Sequence, residues 1–200
     1  MDNETFNPEN YWNTRLKDRW GLHGVGSYDL GRYYNQWLYL TQKKVFLRNV
    51  KQLPLELNKS NVLDIGSGTG FYVELWKSVG VKSVTATDIT TVSVEKLKMK
   101  FPDVDCYKLD VGNTLPVYLQ DKSYDIVSAF AVLYHIIDDE HYQKAFENVY
   151  EMLRPHGIFI FSENFTHGKT VRGEHEVDRS LIEIEAIAMF RTDKPKTSEE

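Results

Sequence analysis

A glycine-rich turn is the segment of this 200-residue sequence best suited to bind a ligand. Residues 62–71 read VLDIGSGTGF, an apolar run ending in an acid, then three glycines and the start of a helical pattern. Glycines let the backbone turn sharply and approach a ligand closely, and the following helix offers unpaired N–H groups. The dinucleotide fingerprint needs a glycine where this chain has Phe71, and no Walker-type Gly-Lys-Ser/Thr follows. The spacing therefore disfavours a nicotinamide or flavin cofactor.

Acidic residues close three successive predicted strands. Asp64 precedes the glycine turn, Asp88 ends the second strand 22 residues after Gly66, and Asp110 follows the third. The carboxyl ends of parallel strands share one edge of a sheet, where α/β proteins bind their ligands. A carboxylate at Asp88 suits the two hydroxyls of a ribose, and one at Asp110 suits the exocyclic amine of adenine. Either acid alone would be interpreted as a helix cap or turn residue, but together with the turn they predict a nucleoside-containing ligand.

Short β-branched runs alternate with helical patterns from Asn61 onward. The predicted strands are 62–65, 81–87, 104–109, 124–130 and 158–162. The predicted helices are 71–78, 91–100 and 139–153, and they run into Gly80, Pro102 and Gly157 respectively. Such alternation implies right-handed crossovers, so we predict an α/β fold with a doubly wound, mostly parallel sheet.

The first quarter of the chain differs in composition from the rest, because ten of its residues are aromatic. We predict a helix from Asn7-Pro8 to about Trp20, a break over 21–27, and a second helix over 29–50. The apolar face expected on the second helix consists of Leu30, Tyr33, Tyr34, Trp37, Leu38 and Leu40. The predicted organisation is a helical cap or lid over 1–55, a binding domain over 56–190 and a flexible tail over 191–200.

Composition excludes several classes of protein. The chain has 24 basic and 29 acidic residues, a net charge of −5, which offers no footprint for nucleic acid or an anionic membrane. The single Cys106 excludes an internal disulfide and any paired-cysteine zinc site. No apolar run approaches the ~20 residues of a membrane span, and Met1-Asp2-Asn3-Glu4 does not resemble a secretory signal. We therefore expect a cytoplasmic protein with a small-molecule partner, of unspecified oligomeric state.

The segment from Ser60 to Asn164 resembles the class I S-adenosylmethionine-dependent methyltransferases, in particular their small-molecule branch. The matching motifs are the glycine turn, Thr87-Asp88-Ile89, Leu109-Asp110-Val111, Tyr124-Asp125-Ile126-Val127, Leu133-Tyr134-His135 and Met152-Leu153-Arg154-Pro155-His156-Gly157. The resemblance implies a Rossmann-like sheet and S-adenosylmethionine as cofactor, with S-adenosylhomocysteine as product. It also implies that a sixth and a seventh strand should follow. After the fifth strand we expect a loop and then a helix from about Asp178 to Met189. Because only eleven residues remain after Met189, we expect a five-stranded core without the terminal hairpin.

The resemblance also implies roles for individual residues. Gly66 and Gly68 would cradle the methionine portion, Asp88 would hold the ribose, and Asp110 with Val111 would contact the edge of adenine. The remaining expected cofactor contacts are Asp64, Ser67, Gly70, Ile89, Phe130, Tyr11 and Arg15. Arg15 would pair with the methionine carboxylate, within an aromatic lid that includes Trp12 and Tyr28.

Methyl transfer from a sulfonium is an in-line displacement with an activated leaving group, so alignment supplies much of the catalysis. A general base is needed only if the acceptor must lose a proton, and His135 and Glu163 are the candidates. A structural histidine is an equally good interpretation of His135. Tyr134 is expected to orient the acceptor. The alternative function is a non-catalytic binding module that acts through a protein partner, and no metal site is expected at His167, Glu174, His175 and Glu176.

Overall fold

The computed structural model describes residues 6–27, 29–120 and 122–181. The chain divides into two compact units, one of residues 9–109 and the other of residues 110–200 together with 1–8. Each unit is described by itself below. The domain boundaries predicted at residues 55 and 190 stay predictions.

In the described residues of the 9–109 unit, five α-helices accompany three parallel strands. Its elements are α1 (Pro8–Asp18), α2 (Leu22–Val25), α3 (Gly31–Val50), β1 (Asn61–Ile65), α4 (Phe71–Ser78), β2 (Ser83–Asp88), α5 (Thr91–Lys100) and β3 (Asp105–Lys108). The strands run in the order β3-β2-β1, with Ile65 beside Thr87 and Asp88 beside Lys108. Val62, Leu63 and Ala86 are fully buried, as expected of strands covered on both faces.

The buried face of α3 is not the predicted one. Asn35, Tyr39, Phe46 and Val50 are buried, and the ring of Phe46 lies 4.8 Å from that of Trp76 on α4. The residues expected to pack are mostly exposed to solvent: Leu30, Tyr33, Tyr34, Trp37 and Leu40. The helix has apolar residues on two opposite sides, and hydrophobic periodicity does not tell which side meets the core.

The predicted break before α3 is held in place by the buried side chain of Asn35. Its Nδ2 donates to the carbonyls of Ser27 and Gly31 at 2.7 and 2.9 Å, and its Oδ1 accepts from the Ser27 amide at 2.8 Å. The same Nδ2 lies 3.2 Å from Nδ1 of His23. One side chain therefore ties α2 and the residue Ser27 that follows it to the start of α3.

The unit that begins at residue 110 contributes the remaining strands. Its elements are α6 (Val117–Gln120), β4 (Tyr124–Phe130), α7 (Asp139–Met152), β5 (Leu153–Ser162), β6 (Val171–Arg172) and β7 (Val177–Asp178). β5 is parallel to β4 and starts five residues before the predicted strand, because its register shifts between the pairs Tyr124–Leu153 and Ile126–Ile158. The extra residues form an irregular segment in which His156 has a φ of 62°.

Within the units, β1 pairs in parallel with β2, β2 with β3, and β4 with β5. This confirms the predicted α/β fold with a Rossmann-like sheet and flanking helices. β6 and β7 form a separate antiparallel pair where we expected a loop. Residue 178, the expected start of a last helix, lies in β7, while residues 182–189 and the predicted tail lie outside the described residues. Among the helices that are described, none has the length and apolar character needed to span a bilayer.

We expect the substitution Asn35→Leu to lower the free energy of unfolding by about 1–3 kcal/mol, because it leaves partly buried backbone groups of Ser27 and Gly31 without this partner. Urea denaturation measures this. The matched control is Gln36→Leu on the exposed side of the same helix, with an expected effect below about 0.5 kcal/mol. Equal effects of the two substitutions would contradict the role given to Asn35.

Candidate functional site

The turn after β1 uses a left-handed backbone at each of its three glycines. The φ angles of Gly66, Gly68 and Gly70 are 66°, 54° and 84°. The amide of Ser67 donates to the carbonyl of Thr87 at 2.8 Å, which ties the turn to β2. Side chains other than glycine rarely adopt this conformation, so the sequence of the turn follows from its shape.

Space around the turn is limited on one side by α2. A Cβ atom at position 68 would lie 3.2 Å from Cγ1 of Val25, and one at position 70 would lie 2.4 Å from Cε2 of Phe101. Gly66 and Gly68 keep partial exposure, whereas Ser67, Thr69 and Gly70 are buried. The backbone at Gly66 and Gly68 is therefore the part of the turn that a ligand can reach, which fits a cradle for an extended small molecule.

The buried carboxylate of Asp64 stabilises the glycine turn through a hydrogen bond with Ser67. It is 2% exposed, and its Oδ2 accepts a hydrogen bond from Oγ of Ser67 at 2.8 Å. Burial, followed by the negative charge of Asp64, raises the pKa of the neighbouring Tyr72 phenol. The structure thus brings the predicted residues Asp64 and Ser67 together and makes them partners of each other.

Asp88 lies directly beside the glycine turn. Its Oδ2 accepts from the amide of Gly68 at 2.8 Å, and its Oδ1 accepts from the amide and the hydroxyl of Thr90 at 2.9 and 2.7 Å. Burial raises the pKa of Asp88, and the hydrogen bonds from Thr90 and Gly68 oppose that rise. The predicted neighbour Ile89 is half-buried at the same strand end.

Arg15 is hydrogen-bonded to the loop that contains α2. Its Nη2 donates to the carbonyl of Gly26, its Nη1 donates to the hydroxyl of Tyr11 at 2.9 Å, and its guanidinium lies 5.0 Å from the centre of the Trp12 ring. These contacts fasten α1 to the segment that covers Gly68. Tyr28, the other expected lid residue, lies outside the described residues.

Asp110 and Val111 form a turn at the start of the second unit. The exposed carboxylate of Asp110 accepts from the amide of Gly112 at 3.1 Å and from Nδ2 of Asn113 at 2.7 Å. The carbonyl of the buried Val111 accepts from Nδ2 of Asn148 on α7 at 2.8 Å. Phe130 is half-buried at the end of β4, next to Ala131 with a φ of 57°. A non-glycine residue in this conformation is strained, as often occurs in functional sites.

Glu163 follows β5 and carries a buried carboxylate. No described group hydrogen-bonds either oxygen, although the backbone amide of Tyr134 approaches them. Burial raises the pKa of Glu163 to about 8, against the lowering effects of the Arg179 charge and the Tyr134 amide. A carboxyl group that titrates near neutral pH is suited to accept or donate a proton.

His135 is anchored through one ring nitrogen. Its Nδ1 lies 3.2 Å from the carbonyl oxygen of His175, and its ring centre is 4.3 Å from that of Tyr134. A carbonyl only accepts, so Nδ1 carries the hydrogen and the lone pair of the neutral ring is on Nε2. This geometry agrees with a structural histidine and also leaves the nitrogen that a base would use in the correct tautomer.

Arg179 is a buried residue that no sequence pattern points to. This residue is fully buried; its Nη2 donates to the carbonyl of Ile136 at 3.0 Å and to Asp139 at 2.9 Å, and its guanidinium lies 3.6 Å from the ring centre of Tyr142. An arginine in a polar segment gives no signal of burial. In the part of the chain that the structure describes, no group of three His, Cys, Asp or Glu residues is arranged to hold a metal ion.

Comparisons with known proteins bear on both units. A family model described as "Methyltransferase domain" matches residues 63–161. An uncharacterized methyltransferase of Schizosaccharomyces pombe is 30% identical over 98 residues, which cover 49% of this chain and 36% of that protein. An mRNA cap guanine-N(7) methyltransferase of Caenorhabditis elegans is 26% identical over 145 residues, covering 64% of this chain and 37% of that protein. The chain thus matches little more than a third of the length of these relatives.

A solved structure described as a DhpI–SAM–HEP complex shares the fold. The two structures superpose with a TM-score of 0.61 at 17% sequence identity, and the match covers 93% of this chain and 91% of the other. At this identity the likeness is one of fold.

The raised pKa of Glu163 makes stability depend on pH. The folded protein keeps this proton up to about pH 8, while the unfolded chain releases it near the ordinary pKa of 4.5. The group's contribution to stability is therefore present below that value and is lost as the pH rises towards 8. We expect the stability of Glu163→Gln relative to the wild type to rise by about 3 kcal/mol between about pH 5 and pH 9 in urea denaturation. Glu151→Gln, an exposed carboxylate on α7, is the control, and a pH-independent difference for Glu163→Gln would contradict the pKa.

Proposed function

We propose that this chain is an S-adenosylmethionine-dependent methyltransferase that transfers a methyl group to a small-molecule acceptor by in-line displacement, in line with the methyltransferase family model that matches residues 63–161. The observation that carries the proposal is the hydrogen bond from the Gly68 amide to Asp88, which joins the glycine turn to the acid expected at the ribose. S-Adenosylmethionine, when bound, supplies a methyl group on a positively charged sulfur. The rest of the proposal concerns what the protein's own residues do.

The cofactor-binding residues are assigned from the motif and supported by the local geometry. Gly66 and Gly68 hold the methionine portion with their partly exposed backbone, while Asp64, Ser67 and Gly70 maintain the shape of the turn. Asp88 receives the ribose hydroxyls, and Ile89 flanks the adenine. Asp110, Val111 and Phe130 are assigned to the adenine and the strand ends from the motif alone. Tyr11 and Arg15 keep the α2 segment over Gly68, and Arg15 is the proposed partner of the methionine carboxylate.

Glu163 is the proposed general base. In its ionised form it takes the proton that an acceptor hydroxyl or amine loses on methylation, and its unpaired oxygens support this role. The hydroxyl of Tyr134 orients the acceptor. His135 is the second candidate base, supported by its Nδ1 contact with His175, which leaves the lone pair on Nε2.

The negative net charge of the chain favours a small acceptor over a nucleic acid. The net charge of −5 opposes binding of a nucleic acid, although the C. elegans relative is named for an mRNA cap. A cytoplasmic location is part of the same proposal, supported by the single buried Cys106. The alternative function is a non-catalytic module that binds the cofactor and acts through a protein partner.

Transfer is tested by incubating the protein with a metabolite extract and S-adenosylmethionine that carries an isotopically labelled methyl group. We expect one metabolite to gain one labelled methyl group.

The variant Glu163→Gln is expected to transfer about 10²- to 10⁴-fold more slowly while its affinity for S-adenosylhomocysteine stays unchanged. Glu176→Gln is the matched control. Cofactor binding without any labelled product would favour the non-catalytic module, and equal rates for the two variants would remove Glu163 as the base.

Asp88→Ala is expected to weaken binding of S-adenosylhomocysteine about 10- to 100-fold in calorimetry, because it removes the proposed acceptor for two ribose hydroxyls. Thr90→Ala, which loses one hydrogen bond to Asp88 but keeps the carboxylate, should weaken binding much less. Thermal unfolding of both variants without ligand shows whether they are folded. An unchanged affinity in a folded Asp88→Ala protein would show that the ribose lies elsewhere.

A further inference from the structure

One side of α3 carries large apolar side chains that nothing in the described structure covers. Tyr33 is 86% exposed, Trp37 63% and Leu40 61%. At 100° per residue, these residues lie on the side of the helix opposite the buried Asn35 and Phe46. We call this surface the outward stripe of α3; it consists of Leu30, Tyr33, Tyr34, Trp37, Leu40, Lys44 and Arg48.

The outward stripe is continuous and changes character along the helix. Its members fall within an arc of about 120° and extend over about 27 Å. Tyr33, Trp37 and Leu40 occupy the first half, and the exposed Lys44 and Arg48 continue the same line in the second half. Exposed apolar patches rimmed by charge mark contact surfaces in proteins that are otherwise well packed.

The charge around α3 is positive, unlike that of the whole chain. Between residues 30 and 55 there are five cations and no acid, whereas the full sequence has 24 cations against 29 acids. The five cations are Arg32, Lys43, Lys44, Arg48 and Lys51. At 100° per residue, Lys44, Arg48 and Lys51 lie on the side of the stripe. Arg32 and Lys43 lie towards the side of the buried Val50. The C-terminal half of the stripe is therefore complementary to an anionic partner, despite the net charge of −5.

We propose that the outward stripe of α3 docks the protein on a membrane surface that contains anionic lipids. Tyr and Trp favour the level of the lipid headgroups, and Leu30 and Leu40 reach the boundary with the acyl chains. Lys44 and Arg48 have long stems that lie along the surface while their charges meet lipid phosphates. The helix lies in the plane of the membrane, so this is peripheral docking.

The chemistry of the stripe favours lipid over other anionic partners. Its convex shape needs a matching groove in a rigid partner, but a fluid headgroup layer adapts to it. The three aromatic side chains of the stripe offer rings on which nucleic-acid bases can stack, but Leu30 and Leu40 have none, whereas a lipid layer buries all five apolar side chains. A second copy of this chain would bring two cationic helices together, which like-charge repulsion opposes.

Vesicle flotation of the 200-residue chain tests the proposal. We expect binding to mixed phosphatidylserine–phosphatidylcholine vesicles, much weaker binding to pure phosphatidylcholine, and loss of binding as sodium chloride is raised. The double substitution Lys44→Glu and Arg48→Glu should reduce binding at least about 25-fold, at about fivefold per cation removed. Its matched control is Lys82→Glu with Lys98→Glu, two exposed lysines outside α3.

The aromatic half is tested separately. Tyr33→Ser with Trp37→Ser should abolish binding, while Met99→Ser with Val117→Ser, which are 75% and 78% exposed, should not change it. The variant Trp37→Phe should bind vesicles but lack the blue shift in tryptophan fluorescence that the wild type shows on binding.

Binding that is equal for both vesicle types, or insensitive to the Lys44 and Arg48 substitutions, would overturn the proposal. So would absence of vesicle binding together with dimerisation or retention of single-stranded RNA that the same substitutions abolish, because the stripe would then serve another partner.

Discussion

The buried carboxylate of Asp88 is the group on which the geometry of the glycine turn depends. One oxygen holds the amide of Gly68, and the other holds Thr90 where α5 begins. Burial of a carboxylate is unfavourable without such donors, and the amide of Gly68 would lose its partner without the carboxylate. The turn and the acid therefore stabilise each other. Because the same carboxylate is the proposed ribose ligand, folding and cofactor binding are coupled at this residue.

Asp88 and Glu163 both carry buried carboxylate oxygens, but their hydrogen-bond partners differ. Asp88 has three hydrogen-bond donors, whereas Glu163 is approached only by the backbone amide of Tyr134 among the described groups. Burial raises the pKa of both, but only at Asp88 do several hydrogen bonds oppose it. A carboxylate that is fully bonded is suited to a fixed position, and one with few partners is suited to proton transfer. The different surroundings of Asp88 and Glu163 therefore suit these two carboxylates to different roles.

Elements that are buried on both faces can be predicted accurately from the sequence, whereas elements that are partly exposed or irregular cannot. Strands covered on both faces appear as unbroken apolar runs, so β1 and β4 were predicted almost to the residue. Helix α3 has apolar residues on opposite sides, so its exposed side was taken for its core side. The irregular start of β5 depends on its pairing with β4, and the burial of Arg179 depends on Asp139 and Tyr142 far away in sequence. Such features arise from tertiary contacts and leave no local pattern.

The net charge is a poor guide to what any one surface binds, because interactions between exposed charges are screened within about 10 Å in ordinary salt. Residues 110–181 contain twelve acids and six Lys or Arg, so a polyanionic acceptor is disfavoured near Glu163. The α3 region has the opposite sign. A small acceptor and an anionic membrane are therefore compatible within one acidic chain, since each concerns a different local charge. The net charge therefore describes residues 110–181, where the acids are concentrated, but it does not describe α3, which contains none.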